Sequence, residues 1–293
     1  MQNNFNGIVP IYKEVGYTSN DVVAKLRGIL HMKKIGHTGT LDPAAVGVLP
    51  VCLGRGTKLV SMLTDTDKTY RCTAVLGITT DTEDLTGKVT SKKDFSGVTE
   101  EQLIDAAKSF IGEYSQVPPM YSAKKVDGKK LYELAREGKV IERKPCDVKI
   151  LALDFENISL PEFTFEVSCS KGTYIRSLCR DIGEKLGCGC AMKSLMRTKA
   201  AGFKLEEAIK LGDCEKFMAE GTMEEKIVSL EEVFAELPKI VVSGEWEKKV
   251  RNGNSFRIKK NDGKYRVSFE DGTFAAVYEI KNGTARICGY FLT

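Results

Sequence analysis

The chain has 293 residues, 42% hydrophobic and 29% charged, which is enough to bury a substantial core as one large domain with or without a small companion. Its formal net charge of +4 permits a nucleic-acid partner but is too small to indicate one. Its start lacks a basic segment followed by an apolar run, and no stretch approaches the roughly 20 apolar residues of a membrane span. We therefore expect a cytoplasmic protein with no membrane partner.

The nine cysteines are odd in number and scattered, unlike the disulfide framework of a small secreted protein. Neither His31 nor His37 has cysteines at the spacing of a zinc site. We expect structural thiols and no bound metal.

The first half of the chain mixes helical and strand patterns around a glycine-rich segment. Its predicted elements are a helix at 19–32, turns over 36–50, strands at 48–53 and 68–78, and a helix at 98–114. Thr18 or Ser19 can cap the first helix, and Thr99 can cap the second.

The second half continues this mixture without strict strand–helix–strand alternation. Its predicted elements are a loop at 116–128, a short helix through Arg136, strands at 145–158 and 163–170, a helix ending near Gly187, and a helical linker at 222–236. This order favours an α+β fold with a largely antiparallel central sheet flanked by helices.

From about Pro238 the chain contains short strand patterns separated by Asn-Gly and Asp-Gly turns. The change predicts a small β domain at 237–293 that follows a larger domain at 1–236.

The segment from Lys34 to Pro43 carries the clearest chemical signal. Two glycines bracket His37, which allows a tight turn or a close approach to a ligand. Pro43 biases Asp42 toward extended backbone and presents its carboxylate at the mouth of the loop. A rigidly held carboxylate can attack a sugar carbon, or Asp42 can simply cap the turn that follows it. Spacing alone leaves both interpretations open.

Residues 36–54, GHTGTLDPAAVGVLPVCLG, resemble the catalytic motif of the bacterial tRNA pseudouridine-55 synthase family, called TruB. Other segments resemble that family in the same order: KTYR at 68–71, TDTED at 80–84, QVPPMYSAKKVDGKKLYELAREG at 116–138 and CSKGTYIRSLCRDIGEKLG at 169–187. The resemblance covers most of residues 8–203. It implies a pseudouridine synthase fold, with a central antiparallel sheet, helices on its faces and a cleft across it.

The resemblance also implies roles for individual residues. Asp42 matches the essential aspartate, and Arg176 matches the arginine that pairs with it. Tyr70 matches the tyrosine against the target base, and His37 the histidine that helps to hold the nucleotide out of its loop. Leu195 matches an apolar residue beside the flipped base.

The implied partner is the T-arm of tRNA, and no cofactor is implied. Lys58 corresponds to a family lysine near the RNA. We expect further phosphate contacts from the basic group in the matched motif: Lys124, Lys125, Lys129 and Lys130. The β domain resembles the PUA type of RNA-binding domain. No amphipathic dimer seam is evident, so we expect a monomer.

Two points of the mechanism stay open. The carboxylate can act at C1′ or at C6 of the uridine, and either Tyr70 or Asp42 can remove the C5 proton. The family's N-terminal pattern also differs here, because Glu14 replaces a proline in a Lys-Pro-x-Gly-x-Thr-Ser sequence and so leaves the rigidity of that loop in doubt. Val46 replaces a common threonine, which we interpret as a packing change.

Two other functions are compatible with parts of the sequence. An RNA-binding or tRNA-folding protein without catalysis would not need Asp42, Tyr70 and Arg176 together. A phosphate-binding enzyme built on residues 54–58 lacks the required GxxxxGK[ST] pattern. The sequence therefore favours the pseudouridine synthase.

Overall fold

The computed structural model describes residues 3–126, 128–139 and 141–292, without the side chains of Lys125 and Lys130. Its strands are β1 Gly7–Lys13, β2 Ile35–His37, β3 Val46–Leu53, β4 Lys68–Leu76, β5 Ile78–Thr80, β6 Val89–Lys92, β7 Gly112–Gln116, β8 Lys125–Val126, β9 Lys129–Lys130, β10 Cys146–Ser159, β11 Glu162–Cys169, β12 Cys190–Ala200, β13 Phe203–Lys204, β14 Lys239–Val242, β15 Phe256–Arg257, β16 Gly263–Phe269, β17 Phe274–Lys281 and β18 Thr284–Tyr290. Its α-helices are α1 Ser19–Ile29, α2 Val60–Thr64, α3 Glu100–Lys108, α4 Leu131–Arg136, α5 Ile175–Lys185, α6 Leu211–Glu220 and α7 Gly244–Arg251. None of the described helices is both long and apolar enough to span a bilayer.

The chain divides into two compact units. The first comprises Met1–Asp42, Leu49–Thr64 and Glu206–Thr293, and the second comprises Pro43–Val48 and Asp65–Leu205.

The second unit is built on an antiparallel sheet. Strands β12, β4, β11, β10 and β7 lie side by side in that order, and each neighbouring pair is antiparallel. The first residues of β3 pair in parallel with β12. Helix α5 packs on β12 and β4, and α3 packs against α5 and β10. The predicted α+β class with a largely antiparallel sheet is confirmed.

Strand β4 shows how the sequence selects its buried face. Lys68, Tyr70, Cys72, Ala74 and Leu76 alternate with more exposed residues, and all of them are buried. Because successive side chains of a strand point to opposite faces, the two polar members of this set lie on the same face as the apolar ones. The core face of β4 therefore carries an ammonium and a phenol at one end.

The first unit has a separate core between α1, α6 and the strands β1, β2 and β3. Val22, Val23 and Leu26 of α1 are buried in it. Thr18 caps α1 through a reciprocal pair of hydrogen bonds with Asp21, so the helix begins where its capping signal predicts.

The C-terminal residues form the small β domain that the sequence predicts. Its strand order is β14-β16-β17-β18-β15, and its core contains Val267, Phe269 and Tyr278. The turn between β17 and β18 places both Asn282 and Gly283 at positive φ, as a two-residue Asn-Gly hairpin requires. The domain division at residue 236 stays a prediction.

Several predictions were wrong in their limits. The helix at 19–32 ends at Ile29, and the strand at 68–78 ends at Leu76, where Gly77 adopts φ +80° before the separate strand β5. The helix at 98–114 ends at Lys108, because Gly112 adopts φ +104° and begins strand β7, where Tyr114 pairs with Val148. The helical linker at 222–236 consists of two short 3-10 helices, and the regular helix α6 lies before it.

Strand β3 approaches β12 so closely at Gly47 that a larger residue does not fit there. A Cβ on Gly47, at φ +108°, would lie 2.3 Å from the carbonyl oxygen of Arg197. We expect Gly47→Ala to lower the free energy of unfolding by at least about 3 kcal/mol, because it combines backbone strain with displacement of a paired strand. Gly202→Ala is the control, since its φ is +87° but a Cβ added there would have no atom within 4 Å. Urea unfolding checks the pair, and equal losses would contradict the close-approach argument.

Candidate active site

The segment from His37 to Asp42, here named the carboxylate loop, leaves the sheet at the end of β2. Strand β2 is antiparallel to β3, with His37 opposite Val51. The amide of Thr38 continues the pairing by donating to the carbonyl of Pro50 at 3.2 Å. The loop therefore starts from a fixed point.

His37 is oriented by the glycine that follows it. The amide of Gly39 donates to Nδ1 of His37 at 3.3 Å, and Gly39 adopts φ +156°. An imidazole that accepts at Nδ1 carries its proton on Nε2 when neutral. The hydrogen bond at Nδ1 therefore restricts the orientation of this half-buried ring.

Ser19 holds the residue immediately before Asp42. Its hydroxyl accepts from the amide of Leu41 at 2.9 Å and lies 3.4 Å from the carbonyl of Leu41, to which it can donate. Ser19 is 1% exposed, so this clamp is shielded from competing water. Asp42 itself is half-buried. Ser19, the first residue of α1, thus holds the main chain of Leu41, the residue before Asp42.

Buried hydrogen bonds hold the loop before α1, which lacks the proline that the resemblance predicts. The ammonium of Lys13 is fully buried and donates to the carbonyls of Glu14 at 3.1 Å and Tyr17 at 2.7 Å. These bonds tie both ends of the segment 14–17 to one side chain. The doubt raised by Glu14 is thereby answered in structural terms.

In the second unit, Tyr70 lies on the buried face of β4 beside Arg197 of β12. The two residues are direct partners in the antiparallel register, and the next inward pair is Cys72 with Leu195. Tyr70 is 9% exposed, whereas Leu195 is half-buried. The structure therefore brings Tyr70 and Leu195 to one sheet face, as their predicted roles beside one base require.

Arg197 is not among the residues predicted from the sequence. It is 1% exposed, and its Nε donates to the carbonyl of Val48 at 2.7 Å. Burial lowers the pKa of the neighbouring Lys68, and the positive charge of Arg197 lowers it further. Residues 190–200 were not predicted as a strand and their burial does not alternate in period two, so no sequence pattern marked this arginine as buried.

Arg176 lies in the first turn of α5 and is 5% exposed. Its guanidinium donates to the carbonyls of Thr82 at 3.0 Å and Tyr121 at 2.9 Å. These two acceptors belong to separate matched motifs, TDTED and QVPPMYSAKK. Three motifs that are distant in sequence therefore meet at one buried cation.

Gln116 fixes the residue that precedes α5. Its side-chain amide donates to the carbonyl of Tyr174 at 3.0 Å and accepts from the amide of Tyr174 at 2.8 Å. Gln116 is 1% exposed, and Tyr174 is the N-cap residue of α5. This pair of hydrogen bonds was also missed from the sequence. It fixes the main chain two residues before Arg176.

The turn that supplies the Thr82 carbonyl is held by two carboxylates. Glu83, at φ +64°, accepts from Ser177 at 2.7 Å and forms an ion pair with Arg180. Burial raises the pKa of Glu83, and the positive charge of Arg180 opposes that shift. One oxygen of Asp84 accepts from the Thr82 hydroxyl at 2.8 Å and from the amide of Thr86 at 2.9 Å. Both carboxylates are engaged in shaping the turn.

The predicted RNA-contacting lysines are distributed over several surfaces. Lys58 is exposed and donates to the carbonyl of Leu292 at 3.2 Å. Lys124 is half-buried and contacts the thiol of Cys146, whereas Lys129 is exposed. The side chains of Lys125 and Lys130 lie outside what the structure describes.

The described residues contain no group of three or more His, Cys, Asp or Glu side chains arranged to hold a metal ion.

Two protein-family models match consecutive parts of the chain. A model of the TruB family pseudouridylate synthase N-terminal domain matches residues 27–175. A model of the tRNA pseudouridylate synthase B C-terminal domain matches residues 176–241.

Curated relatives match over most of their length. The tRNA pseudouridine synthase B of Lachnoclostridium phytofermentans is 50% identical over 257 residues, which cover 85% of this chain and 83% of the relative. The protein of the same name from Bacillus licheniformis is 46% identical over 255 residues, covering 85% and 82%.

Solved structures match the fold. A chain in the crystal structure of a Cbf5-Nop10-Gar1 complex has a TM-score of 0.72 and 26% identity, covering 98% of this chain and 85% of that chain. A chain of an H/ACA RNP bound to a substrate RNA containing 2′-deoxyuridine has a TM-score of 0.73 and 24% identity, with the same coverage. The second likeness concerns the fold alone.

The Gln116 clamp gives a stability prediction. Gln116→Ala would remove the partner of the Tyr174 amide, whereas the Tyr174 carbonyl would keep its hydrogen bond from the amide of Leu178, so we expect a loss of about 1–3 kcal/mol in the free energy of unfolding. Gln102→Ala is the control, since Gln102 caps α3 at the surface and its removal should cost under about 1 kcal/mol. Urea unfolding of both variants measures the difference. A Gln116 variant as stable as the control would contradict the role of the clamp.

Proposed function

This chain belongs to the TruB family of pseudouridylate synthases, and on that premise we propose that it isomerises uridine 55 in the T loop of tRNA, with Asp42 as its catalytic carboxylate. The enzyme class is that of a tRNA pseudouridine synthase, an isomerase that modifies RNA. The observation that carries the assignment of Asp42 is the Ser19 clamp, which fixes the backbone next to this one carboxylate.

The reaction sets the requirements for the site. The bond between N1 and C1′ breaks, the base turns over, and a bond forms between C5 and C1′. The C5 proton leaves and N1 gains a proton, so the atoms balance without an oxidant, a reductant or a cofactor. The protein must hold the base out of its stack, supply a carboxylate and move one proton.

Asp42 suits the carboxylate role better than the acidic residues of the TDTED motif. Glu83 and Asp84 accept hydrogen bonds that hold the turn beneath Arg176. Asp42 lies in a loop whose backbone is clamped on one side and is followed by Pro43, so a directed side chain costs little reorganisation on binding. We propose that it acts at C1′ or at C6 of the target uridine.

Tyr70 and Leu195 suit the binding of an extruded base. They lie on one sheet face, and an aromatic ring with an aliphatic neighbour offers a stacking surface for uracil. The phenol of Tyr70 is also a candidate to remove the C5 proton, alongside Asp42.

Arg176 and His37 have supporting roles in this proposal. A buried guanidinium favours an ionised carboxylate as its partner, and the resemblance names Asp42 as that partner. The pairing of Arg176 with Asp42 is a proposal here. His37 is proposed, by the resemblance, to help hold the displaced nucleotide, and the Gly39 amide bond to its Nδ1 fixes one side of the ring.

The RNA contacts are proposed on charge. Residues 237–293 contain eleven lysines and arginines against six acidic residues, a net charge of +5 in a chain whose total is +4. We propose that this region is a PUA-like RNA-binding domain after a catalytic domain at 1–236. Lys58, Lys124, Lys125, Lys129 and Lys130 would add phosphate contacts. A cytoplasmic monomer acting on the T-arm completes the proposal.

The decisive test is release of tritium from tRNA that carries 5-tritiated uridine. Asp42→Asn keeps the shape but removes the charge, so we expect turnover to fall by at least about 10³-fold while the Kd for tRNA stays within about tenfold. Asp94→Asn is the control, since Asp94 is an exposed carboxylate that accepts hydrogen bonds from Ser96 in its own turn.

Three outcomes would count against the proposal. Near-normal release by Asp42→Asn would remove Asp42 from the chemistry. Undiminished release from a tRNA with cytidine at position 55 would overturn the assigned target. Binding without release by the unaltered protein would favour the RNA-folding function.

The Ser19 clamp can be tested separately as a positioning device. We expect Ser19→Ala to lower the single-turnover rate by about tenfold with the Kd for tRNA unchanged, because the carboxylate is misplaced while the RNA surface is kept. Thr18→Ala is the matched control, since it removes the cap of α1 without touching Leu41. It should cost about 1 kcal/mol of stability and leave the rate unchanged. Equal effects of the two variants on the rate would reduce Ser19 to a helix-stability residue.

A further inference from the structure

Two buried cations lie next to the tyrosine that is proposed to stack on the target base. Lys68 is 8% exposed and Arg197 is 1% exposed. Burial of a Lys or Arg side chain to this degree is rare, because the loss of its hydration costs free energy. The carbonyl of Val48 that accepts from Arg197 is neutral, so this hydrogen bond does not cancel the positive charge.

The register of the sheet places both cations on the face that carries Tyr70. Lys68 and Tyr70 lie two residues apart on β4 and are both buried, so their side chains project to the same side. Arg197 is the direct partner of Tyr70 in the antiparallel pairing of β12 with β4. Such partners project from one face, with their Cβ atoms about 4.5–5.5 Å apart. We name Lys68, Tyr70 and Arg197 the cationic corner.

The cationic corner adjoins the surface that is proposed to hold the uracil ring. Leu195 lies two residues before Arg197 on β12, and the pairing with β4 has no register shift between them. The side chain of Leu195 is therefore on the same face as those of Arg197 and Tyr70. The proposed base-binding residues and the two positive charges thus form one continuous part of the sheet face.

The two cations disfavour each other in this position. Burial lowers the pKa of Lys68, and the positive charge of Arg197 lowers it further. The charges of Cys169, Asp65 and Asp67 act in the opposite direction, but the net shift is downward. The fold therefore holds the ammonium of Lys68 where its charge is less stable than in water. Fixed charges of one sign that cost stability are expected where a reaction develops charge of the other sign.

The proposed reaction develops negative charge on the uracil ring. When the bond between N1 and C1′ breaks, its electron pair stays with N1 and is delocalised onto the ring oxygens. If the carboxylate first adds to C6, the electrons of the C5–C6 double bond move onto C5 and O4. Both routes load the ring with electrons until C5 bonds to C1′. A fixed positive charge shielded from water stabilises such a state without reorganisation.

We propose that Arg197 and Lys68 stabilise the negative charge that develops on the uracil while its bond to C1′ breaks. The proposal rests on the proposed function, in which Tyr70 and Leu195 hold the target base. It gives the two cations an electrostatic role that involves neither proton transfer nor a covalent bond to the RNA. The same role applies whether the carboxylate acts at C1′ or at C6.

A matched pair of substrates measures this role. T-arm hairpins with uridine or 5-fluorouridine at the target position differ in how well the base bears negative charge, because fluorine withdraws electrons. Fluorine does not leave C5 as a proton does, so the readout is the single-turnover loss of the target nucleoside, measured after digestion of the RNA. A variant that lacks charge stabilisation should be slowed less on the fluorinated hairpin. A change that only loosens the fold should slow both hairpins by the same factor.

Substitutions of Arg197 separate its charge from its hydrogen bond. Arg197→Gln removes the charge but keeps a side chain that can donate, so we expect the uridine hairpin to react at least about tenfold more slowly. The loss on the fluorinated hairpin should be smaller by about threefold or more. Arg197→Lys keeps the charge and should react within about threefold of the unaltered protein on both hairpins.

Arg71→Gln is the control for the loss of a positive charge from β4. Arg71 is exposed, follows Tyr70 directly on the opposite face of the strand, and forms an ion pair with Glu156. It should leave the rates on both hairpins unchanged, because its charge is exposed to solvent on the far side of the sheet.

Lys68→Met decides the question even where the Arg197 variants fold poorly. Replacing one of two mutually repelling buried cations with an apolar side chain of similar length should maintain or raise the midpoint of urea unfolding. It should nevertheless slow the uridine hairpin more than the fluorinated one. A purely structural role of Lys68 predicts the reverse pattern, with a lower midpoint and equal slowing of both hairpins.

Two results would overturn the inference and leave the proposed function intact. The first is equal slowing of the two hairpins by Lys68→Met and by any folded Arg197→Gln protein. The second is an unchanged rate on the uridine hairpin in these variants. Failure of the unaltered protein to release tritium from tRNA would instead count against the proposed function, whatever the variants show.

Discussion

Main-chain clamping by buried polar side chains is the constraint on which the proposed site depends. The carboxylate loop beyond Thr38 and the segment before α5 are irregular, so the amides of Leu41 and Tyr174 donate to side chains instead of to a neighbouring strand or helical turn. Ser19 and Gln116 each bond both main-chain groups of one residue, Leu41 and Tyr174 respectively. Each clamped residue lies within two positions of a proposed functional residue. A residue of α1 and a residue of β7 thereby hold the main chain of loops next to the proposed functional residues.

Local signals were sufficient for the elements that surround the site. The capping residues Thr18 and Thr99 predicted where α1 and α3 begin, because a cap acts within three residues of itself. Asn-Gly predicted the hairpin at 282–283 for the same reason. The buried face of β4 follows from period-two alternation. Candidate site residues came from the matched motifs, since His37, Tyr70 and Arg176 are individually ordinary in composition.

The features that sequence reasoning missed depend on partners far along the chain. Ser19 lies 22 residues from Leu41, and Gln116 lies 58 residues from Tyr174, so no local pattern marks either as a clamp. Gln116 was predicted to open a loop, and residues 112–114 were predicted as helix, whereas pairing with β10 makes both part of strand β7. Arg197 was missed because strand β12 itself was not predicted, since its burial does not alternate and two register shifts against β4 interrupt it.

Positive charge is unevenly distributed along the chain. Outside residues 237–293 the chain has 33 basic and 34 acidic residues, so its positive excess resides in the β domain. Phosphate attraction is long-ranged and insensitive to geometry, whereas attack at a sugar or base carbon requires exact placement. In the proposed function, the attraction lies mainly in residues 237–293, and the clamped loops hold the proposed catalytic groups. We therefore propose that the chemistry depends more on orientation than on the strength of RNA binding.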